Sequence, residues 1–147
     1  PPPTSGQYSD ATKKFCNFNG LTLAYAPKWR TSLTGRWEQP LANTDMSWFV
    51  AADMSYQSSS YMDASLDPRS FQDGYALYDA SLGVSAQSGK WRVSLWGKNL
   101  ADKRYYVTEA AQTQGANIGA GGTAAANGFV GWLGNPRTWG MELDYKW

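Results

Sequence analysis

A chain of 147 residues is one domain's worth, and this one has net charge +1, eight Trp, nine Tyr, no His and one Cys. Without His there is no His-based triad, metal ligand or proton shuttle, and a lone Cys16 allows neither an internal disulfide framework nor a Cys-based zinc site. The small net charge gives no electrostatic basis for nucleic acid, and no apolar run reaches the ~20 residues of a membrane helix, which leaves membrane strands open.

The chain starts Pro1-Pro2-Pro3 rather than Met, so a processed, truncated or partial product is expected, with residues 1–27 as a long loop segment. From there the dominant pattern is period two, the signature of strands with two unlike faces. In 29–38, Trp29, Leu33 and Trp37 alternate with Arg30, Thr34 and Arg36. The turn signal at 39–45 leads to 46–57, where Trp48, Val50 and Tyr56 alternate with Phe49 and Asp53. A long loop is expected over 58–76. Next, 77–87 alternates Tyr78, Leu82 and Val84 with Asp79 and Ser81, and Ser88-Gly89-Lys90 is a tight turn. In 91–99, Trp91, Val93 and Leu95 oppose Arg92, Trp96 and Lys98. A second long loop is expected over 107–136, with a Gly- and Ala-rich stretch at 110–128. The last strand, 138–147, sets Trp139, Met141, Leu143, Tyr145 and Trp147 against Glu142, Asp144 and Lys146. Short turns at one edge and long loops at the other are the layout of a transmembrane β-barrel.

Three features favour lipid over water. The strand charges Arg30, Arg36, Glu38, Asp53, Asp79, Arg92, Lys98, Glu142, Asp144 and Lys146 share one parity. Lipid enforces such a rule, because a buried Arg or Lys near the midplane costs roughly 2–4 kcal/mol. The apolar parity is bracketed by aromatics eight residues apart: Trp29 and Trp37, Trp48 and Tyr56, Trp139 and Trp147. Eight residues at ~3.3 Å and ~40° tilt cover about 20 Å, close to the ~25 Å band between aromatic girdles. These residues, with Trp91, are the expected girdle. The opposite parity is Ser, Thr, Gly, Gln and mixed charge, which suits a wet lumen. The fold class is therefore all-β, an antiparallel barrel segment of about five strands. Five strands cannot close, and open edges cannot lie in lipid, so more chain or another subunit must complete the wall.

Several segments resemble TonB-dependent outer-membrane receptors. Asn99-Leu100-Ala101-Asp102-Lys103-Arg104-Tyr105 resembles the family's N-L-x-D-x-x-Y segment. Gly134-Asn135-Pro136-Arg137-Thr138-Trp139-Gly140 is similar to its entry to the final strand. Leu143-Asp144-Tyr145-Lys146-Trp147 is similar to its terminal strand, with Trp in place of the usual Phe. Gly20-Leu21 followed by Ala26-Pro27-Lys28-Trp29 fits the lead-in. The resemblance implies the last five strands of a 22-stranded, plug-filled barrel in the outer membrane of a Gram-negative bacterium. Implied partners are the plug and remaining barrel, outer-membrane lipid, the barrel assembly machinery, a small-molecule ligand and, indirectly, the inner-membrane TonB complex. Ferric siderophores are the default ligand class. Leu143, Tyr145 and Trp147 would carry the assembly signal.

On this reading Arg30, Arg36, Asp53, Asp79, Arg92, Trp96, Lys98, Glu142 and Asp144 face the lumen or plug, with a cross-strand Arg92–Asp144 pair expected. Tyr61, Asp63, Asp67 and Arg69 are loop candidates for ligand capture, Tyr61 by stacking. The spacing of Asp63, Asp67 and Asp73 matches no fixed Ca²⁺ motif. No catalytic residue, metal or cofactor is expected, because the many Ser residues have no His base. Two alternatives remain at this stage: a structural subunit of a split barrel, and a soluble Trp-rich β-sandwich that binds carbohydrate.

Overall fold

The computed structural model describes residues 22–64, 66, 68–112 and 128–147. Cys16, the Gly20-Leu21 lead-in and Asp67 lie outside the described residues. Among the described residues nine strands follow in order: β1 (Arg30–Pro40), β2 (Met46–Gln57), β3 (Ser60–Tyr61), β4 (Phe71–Gln72), β5 (Tyr75–Ala86), β6 (Trp91–Lys98), β7 (Tyr106–Gln112), β8 (Gly128–Leu133) and β9 (Thr138–Tyr145). A 3₁₀ turn occupies Pro68–Ser70. Among the described residues there is no α-helix, in keeping with the period-two pattern.

The long alternating segments form one five-stranded sheet, ordered β1-β2-β5-β6-β9, with every neighbouring pair antiparallel. The sheet is not closed. Its short connections are tight for local reasons. Asn43 (φ 64°) and Gly89 (φ 71°) supply the left-handed backbone that the turns require. The Leu41 amide donates to the Met46 carbonyl at 2.8 Å, and the Gly89 amide to the Ala86 carbonyl at 2.9 Å. The Gln87 amide donates to the Asp45 carbonyl at 2.8 Å, which ties the two turns together.

The chain divides into two compact units. One comprises Trp29–Gln57, Tyr75–Arg104 and Asn135–Trp147, and holds the five-stranded sheet. The other gathers Pro1–Lys28, Ser58–Gly74 and Tyr105–Gly134. The segments expected as long loops therefore form a unit with strands of its own, the antiparallel pairs β3-β4 and β7-β8. The Gly- and Ala-rich composition of 110–128 suggests loop, but the flanking Tyr106-Val107-Thr108 and Phe129-Val130 are good strand formers, and the strands they begin pair with each other: Tyr106 and Thr108 stand opposite Leu133 and Trp132, and Ala110 and Ala111 opposite Val130 and Phe129. The core of this unit is small and centres on Tyr61 and Met62.

Candidate functional site

The five-stranded sheet presents two chemically different faces, and its register shows how each is organised. On the apolar face, Trp37, Val50, Leu82, Leu95 and Met141 lie side by side across all five strands. A second row runs Trp48, Val84, Val93, Leu143. A third runs Gly35, Ala52, Ala80, Gly97, Trp139. These large side chains are open to their surroundings: Leu82 is 57% exposed and Trp139 82%. No strand charge intrudes on these rows.

The aromatic bands cross the rows diagonally. Trp37 on β1 lies, through Val50, Leu82 and Leu95, in line with Met141; its counterpart at the other edge, Trp147, is six residues further on. At the opposite end, Trp139 lies in line with Gly35, which is six residues past Trp29. Both bands thus slip by the same six residues over four strand-to-strand steps. At ~3.3 Å per residue and ~4.8 Å between strands, that slip is a slope of about 45°. Strands of membrane barrels tilt by ~35–45°, a tilt that matches the slope of these bands. Trp48 and Tyr56 on β2 fit the slope. They fall opposite Gln39 and Thr31, each two residues beyond the Trp of β1.

The other face carries the predicted lumen residues. Rows here are Thr34, Asp53, Asp79; then Arg36, Ala51, Ser81, Trp96, Gly140; then Glu38, Phe49, Gly83, Ser94, Glu142; then Ser47, Ser85, Arg92, Asp144. Arg30 is in register with Gln57, and Lys98 with Thr138. Arg36, Arg92, Trp96, Lys98, Glu142 and Asp144 line a shallow concavity of about 330 Å³.

Its centre is a residue that parity alone does not single out. Phe49 is 3% exposed and lies across Gly83, where a Cβ would be 2.9 Å from the ring. Arg36 and Arg92 set their guanidinium groups over the Phe49 ring, 4.3 and 5.2 Å from its centroid. Arg36 also pairs with Glu38 at 2.8 Å, a half-exposed bridge that contributes ~0–1 kcal/mol. Arg92 and Asp144 are register partners as expected, but no ion pair joins them, because the arginine turns to the ring. Trp96 repeats the glycine cover: a Cβ at Gly140 would be 2.7 Å from its ring, and the Lys98 ammonium sits 5.8 Å from the Trp96 centroid. An aromatic on an otherwise polar parity was the signal for both sites.

Asp53 and Asp79 face each other on adjacent strands, a pairing that costs energy unless each carboxylate has its own donor. The Thr34 hydroxyl donates to Asp53 at 2.7 Å, and the Asn99 amide donates to Asp79 at 2.8 Å.

The same Asn99 knits the two resembling motifs together. Its side-chain amide donates to the Lys103 carbonyl at 2.9 Å and to the Asn135 carbonyl at 3.0 Å, and its oxygen accepts the Lys103 amide at 2.9 Å. The Arg137 amide donates to Asp102 at 3.3 Å. Asn99 (φ 49°) and Asp102 (φ 51°) take the left-handed backbone that Asn and Asp tolerate best. In the second unit, Tyr105 covers Gly134, where a Cβ would collide with the ring, and the Gly134 amide donates to the Tyr105 carbonyl at 2.8 Å. The Asn, Asp and Tyr of one motif thus meet the Gly, Asn and Arg of the other.

Of the predicted ligand-capture residues that are described, Tyr61 is withdrawn from the surface. Tyr61 is 2% exposed and packs edge-on against Phe71, with ring centroids 5.2 Å apart. Burial pushes its phenol pKa up, and its hydroxyl has no partner among the described residues. The expectation of a stacking surface at Tyr61 is therefore corrected: the aromatic ring is worth more in the small core than in water. Arg69 is exposed and Asp63 half-buried. Among the described residues no group of three or more Cys, Asp or Glu could hold a metal ion.

A family model described as TonB dependent receptor-like, beta-barrel matches residues 4–100. The chain belongs to that family. The barrel family is one of receptors and transporters rather than enzymes, and its barrel domains are outer-membrane proteins of Gram-negative bacteria. This excludes the carbohydrate-binding sandwich and supports an outer-membrane, receptor-like role. The match ends at Leu100, so the Asn99–Asn135 junction and β9 are tied to the barrel by the sheet register instead. No curated protein and no solved structure matches the chain.

Proposed function

We propose that this chain supplies barrel wall, external loop structure and an assembly signal to a TonB-dependent outer-membrane receptor that imports a scarce nutrient complex. The observation that carries the reading is the sheet's pair of faces: an apolar one with two aromatic bands at a membrane tilt, and a polar one with Arg, Lys, Asp and Glu. Lipid solvates the first, and the second lines a lumen filled by a plug. The chain contributes the last five of 22 strands, with β1 and β9 pairing to the rest of the wall, since an open edge in lipid leaves backbone groups unsatisfied. Ferric siderophores are the default ligand class. The long connections 58–76 and 107–136 are the external loops of this reading.

The test is uptake together with mass. Cells lacking the gene should lose uptake of a ⁵⁵Fe-labelled siderophore, and the native protein should leave outer membranes only in detergent, at several times 16.2 kDa. Material that is fully water-soluble would overturn the membrane reading. A native mass of 16.2 kDa would make the chain a separate subunit of a split barrel.

A further inference from the structure

The polar face of the sheet carries a second concavity, at the end where β2 gives way to the long connection 58–76. It holds about 350 Å³ and is lined from three strands. Arg30, Gln57 and Tyr75 form one register row across β1, β2 and β5, and Ser32, Ser55 and Leu77 form the next. Gln57 ends β2 and Tyr75 begins β5, so the outer row stands where the chain leaves the sheet and returns to it.

The chemistry of these rows is one-sided. They hold a guanidinium, serine hydroxyls, a carboxamide and a phenol, all of which can donate hydrogen bonds, and no carboxylate. The acids of the following row, Asp53 and Asp79, lie further into the sheet, and each already accepts a donor, from the Thr34 hydroxyl and the Asn99 amide. The favourable place for an anion is therefore on the side of Arg30 toward the strand ends, away from those charges.

Arg30 also differs from the other cations on the strands of this face. Arg36 and Arg92 lie over the Phe49 ring, and Lys98 lies near the Trp96 ring. Arg30 is exposed, and among the described residues it has neither a ring nor a carboxylate as partner. Its planar fork of donors matches the two oxygens of a carboxylate, and such charge-assisted bonds are about twice as strong as neutral ones.

We propose that Arg30, with Ser32, Ser55, Gln57 and Tyr75, forms an oxyanion subsite at the outer mouth of the lumen, which takes a carboxylate of the imported ligand. The inference rests on the receptor reading above and narrows its ligand to an anionic, carboxylate-bearing complex. A neutral or cationic complex gains nothing from this guanidinium. A carboxylate of the plug would satisfy the same fork, and the test separates the two.

Modification of arginines by phenylglyoxal tests the site, in the full receptor in detergent micelles, read residue by residue by mass spectrometry. The probe is citrate, with its trimethyl ester as the uncharged control and exposed Arg104 as the reference arginine. Without citrate, Arg30 should react about as fast as Arg104. Saturating citrate should slow modification of Arg30 about tenfold or more and leave Arg104 unchanged, and the ester should slow neither. Ser32→Ala combined with Ser55→Ala keeps the reactive arginine and should raise the citrate concentration for half protection several-fold. Equal effects of citrate on Arg30 and Arg104, protection by the ester, or unchanged half protection in the serine variant would each overturn the proposal. So would an Arg30 that is unreactive before citrate is added, since a plug carboxylate would then hold it. Uptake and native mass test the receptor reading separately, so these outcomes remove the subsite and leave that reading standing.

Discussion

Arg92 faces Asp144 across β6 and β9, and its guanidinium nevertheless rests over Phe49, 5.2 Å from the ring centroid. The acid is left to water, and two arginines lie over the aromatic ring that covers Gly83. On a wet face this is a sensible choice. An exposed ion pair contributes ~0–1 kcal/mol, while the ring gains a cation–π contact and cover from solvent.

Phe49→Ala should therefore destabilise the barrel by about 3 kcal/mol, as for other buried aromatic truncations. Arg92→Ala should cost only about 0.5–1 kcal/mol, and Asp144→Asn less than that. Gly83→Ala should be destabilising because the new Cβ meets the Val93 carbonyl and the Phe49 ring, whereas Gly35→Ala, with nothing within 4 Å, should be tolerated. Urea unfolding in micelles, followed by Trp fluorescence, gives the order. Equal costs for Gly83→Ala and Gly35→Ala would contradict the packing described.

The two faces should respond differently to the same charge. Leu33→Arg, Val50→Arg and Leu82→Arg place a cation on the apolar rows and should each cost roughly 2–4 kcal/mol, with a loss of folded protein in outer membranes. Thr34→Arg and Ser81→Arg lie on the polar rows and should be tolerated better. Heat-modifiable gel mobility of membrane fractions reads the folded share. Equal tolerance on both faces would remove the lipid argument.

Asn99 holds two carbonyls and one amide with a single side chain. Asn99→Ala leaves all three without that partner and should cost about 2 kcal/mol. Asn99→Asp keeps the acceptor for Lys103 but loses both donors, so it should not restore stability. A rescue by Asp would show that the Lys103 amide alone matters. Exchange protection around residues 135–138 should fall in both variants, since the Asn135 carbonyl is released.

In the proposed assembly role, Trp147→Ala should slow the appearance of folded receptor in cells. Trp147 packs edge-on to Tyr145 with centroids 6.3 Å apart and otherwise stands free of the sheet among the described residues, so its loss should scarcely change equilibrium stability. Pulse-chase of heat-modifiable protein separates the two effects. Normal kinetics with lower stability would assign Trp147 to packing instead.

Strand positions and faces were legible because they depend only on neighbours in sequence. A period of two with every charge on one parity needs no partner strand to be seen, and lipid on one side imposes it. The five expected segments fall within two or so residues of β1, β2, β5, β6 and β9, and the turns at 39–45 and 88–90 carry the left-handed residues they require. Register is different in kind, since it sets which residue of one strand stands beside which residue of the next. It brings Phe49 onto Gly83 and Trp96 onto Gly140, turns Arg92 away from Asp144, and gives the aromatic bands their common six-residue slip. Burial in the second unit is further still from local pattern. Tyr61 reads as an exposed loop aromatic until other segments of its unit close around it. The sequence by itself determined the kind of surface each strand offers, because solvent acts on one residue at a time. Only the tertiary structure decided which side chains cover which backbone, because that is a property of pairs far apart in the chain.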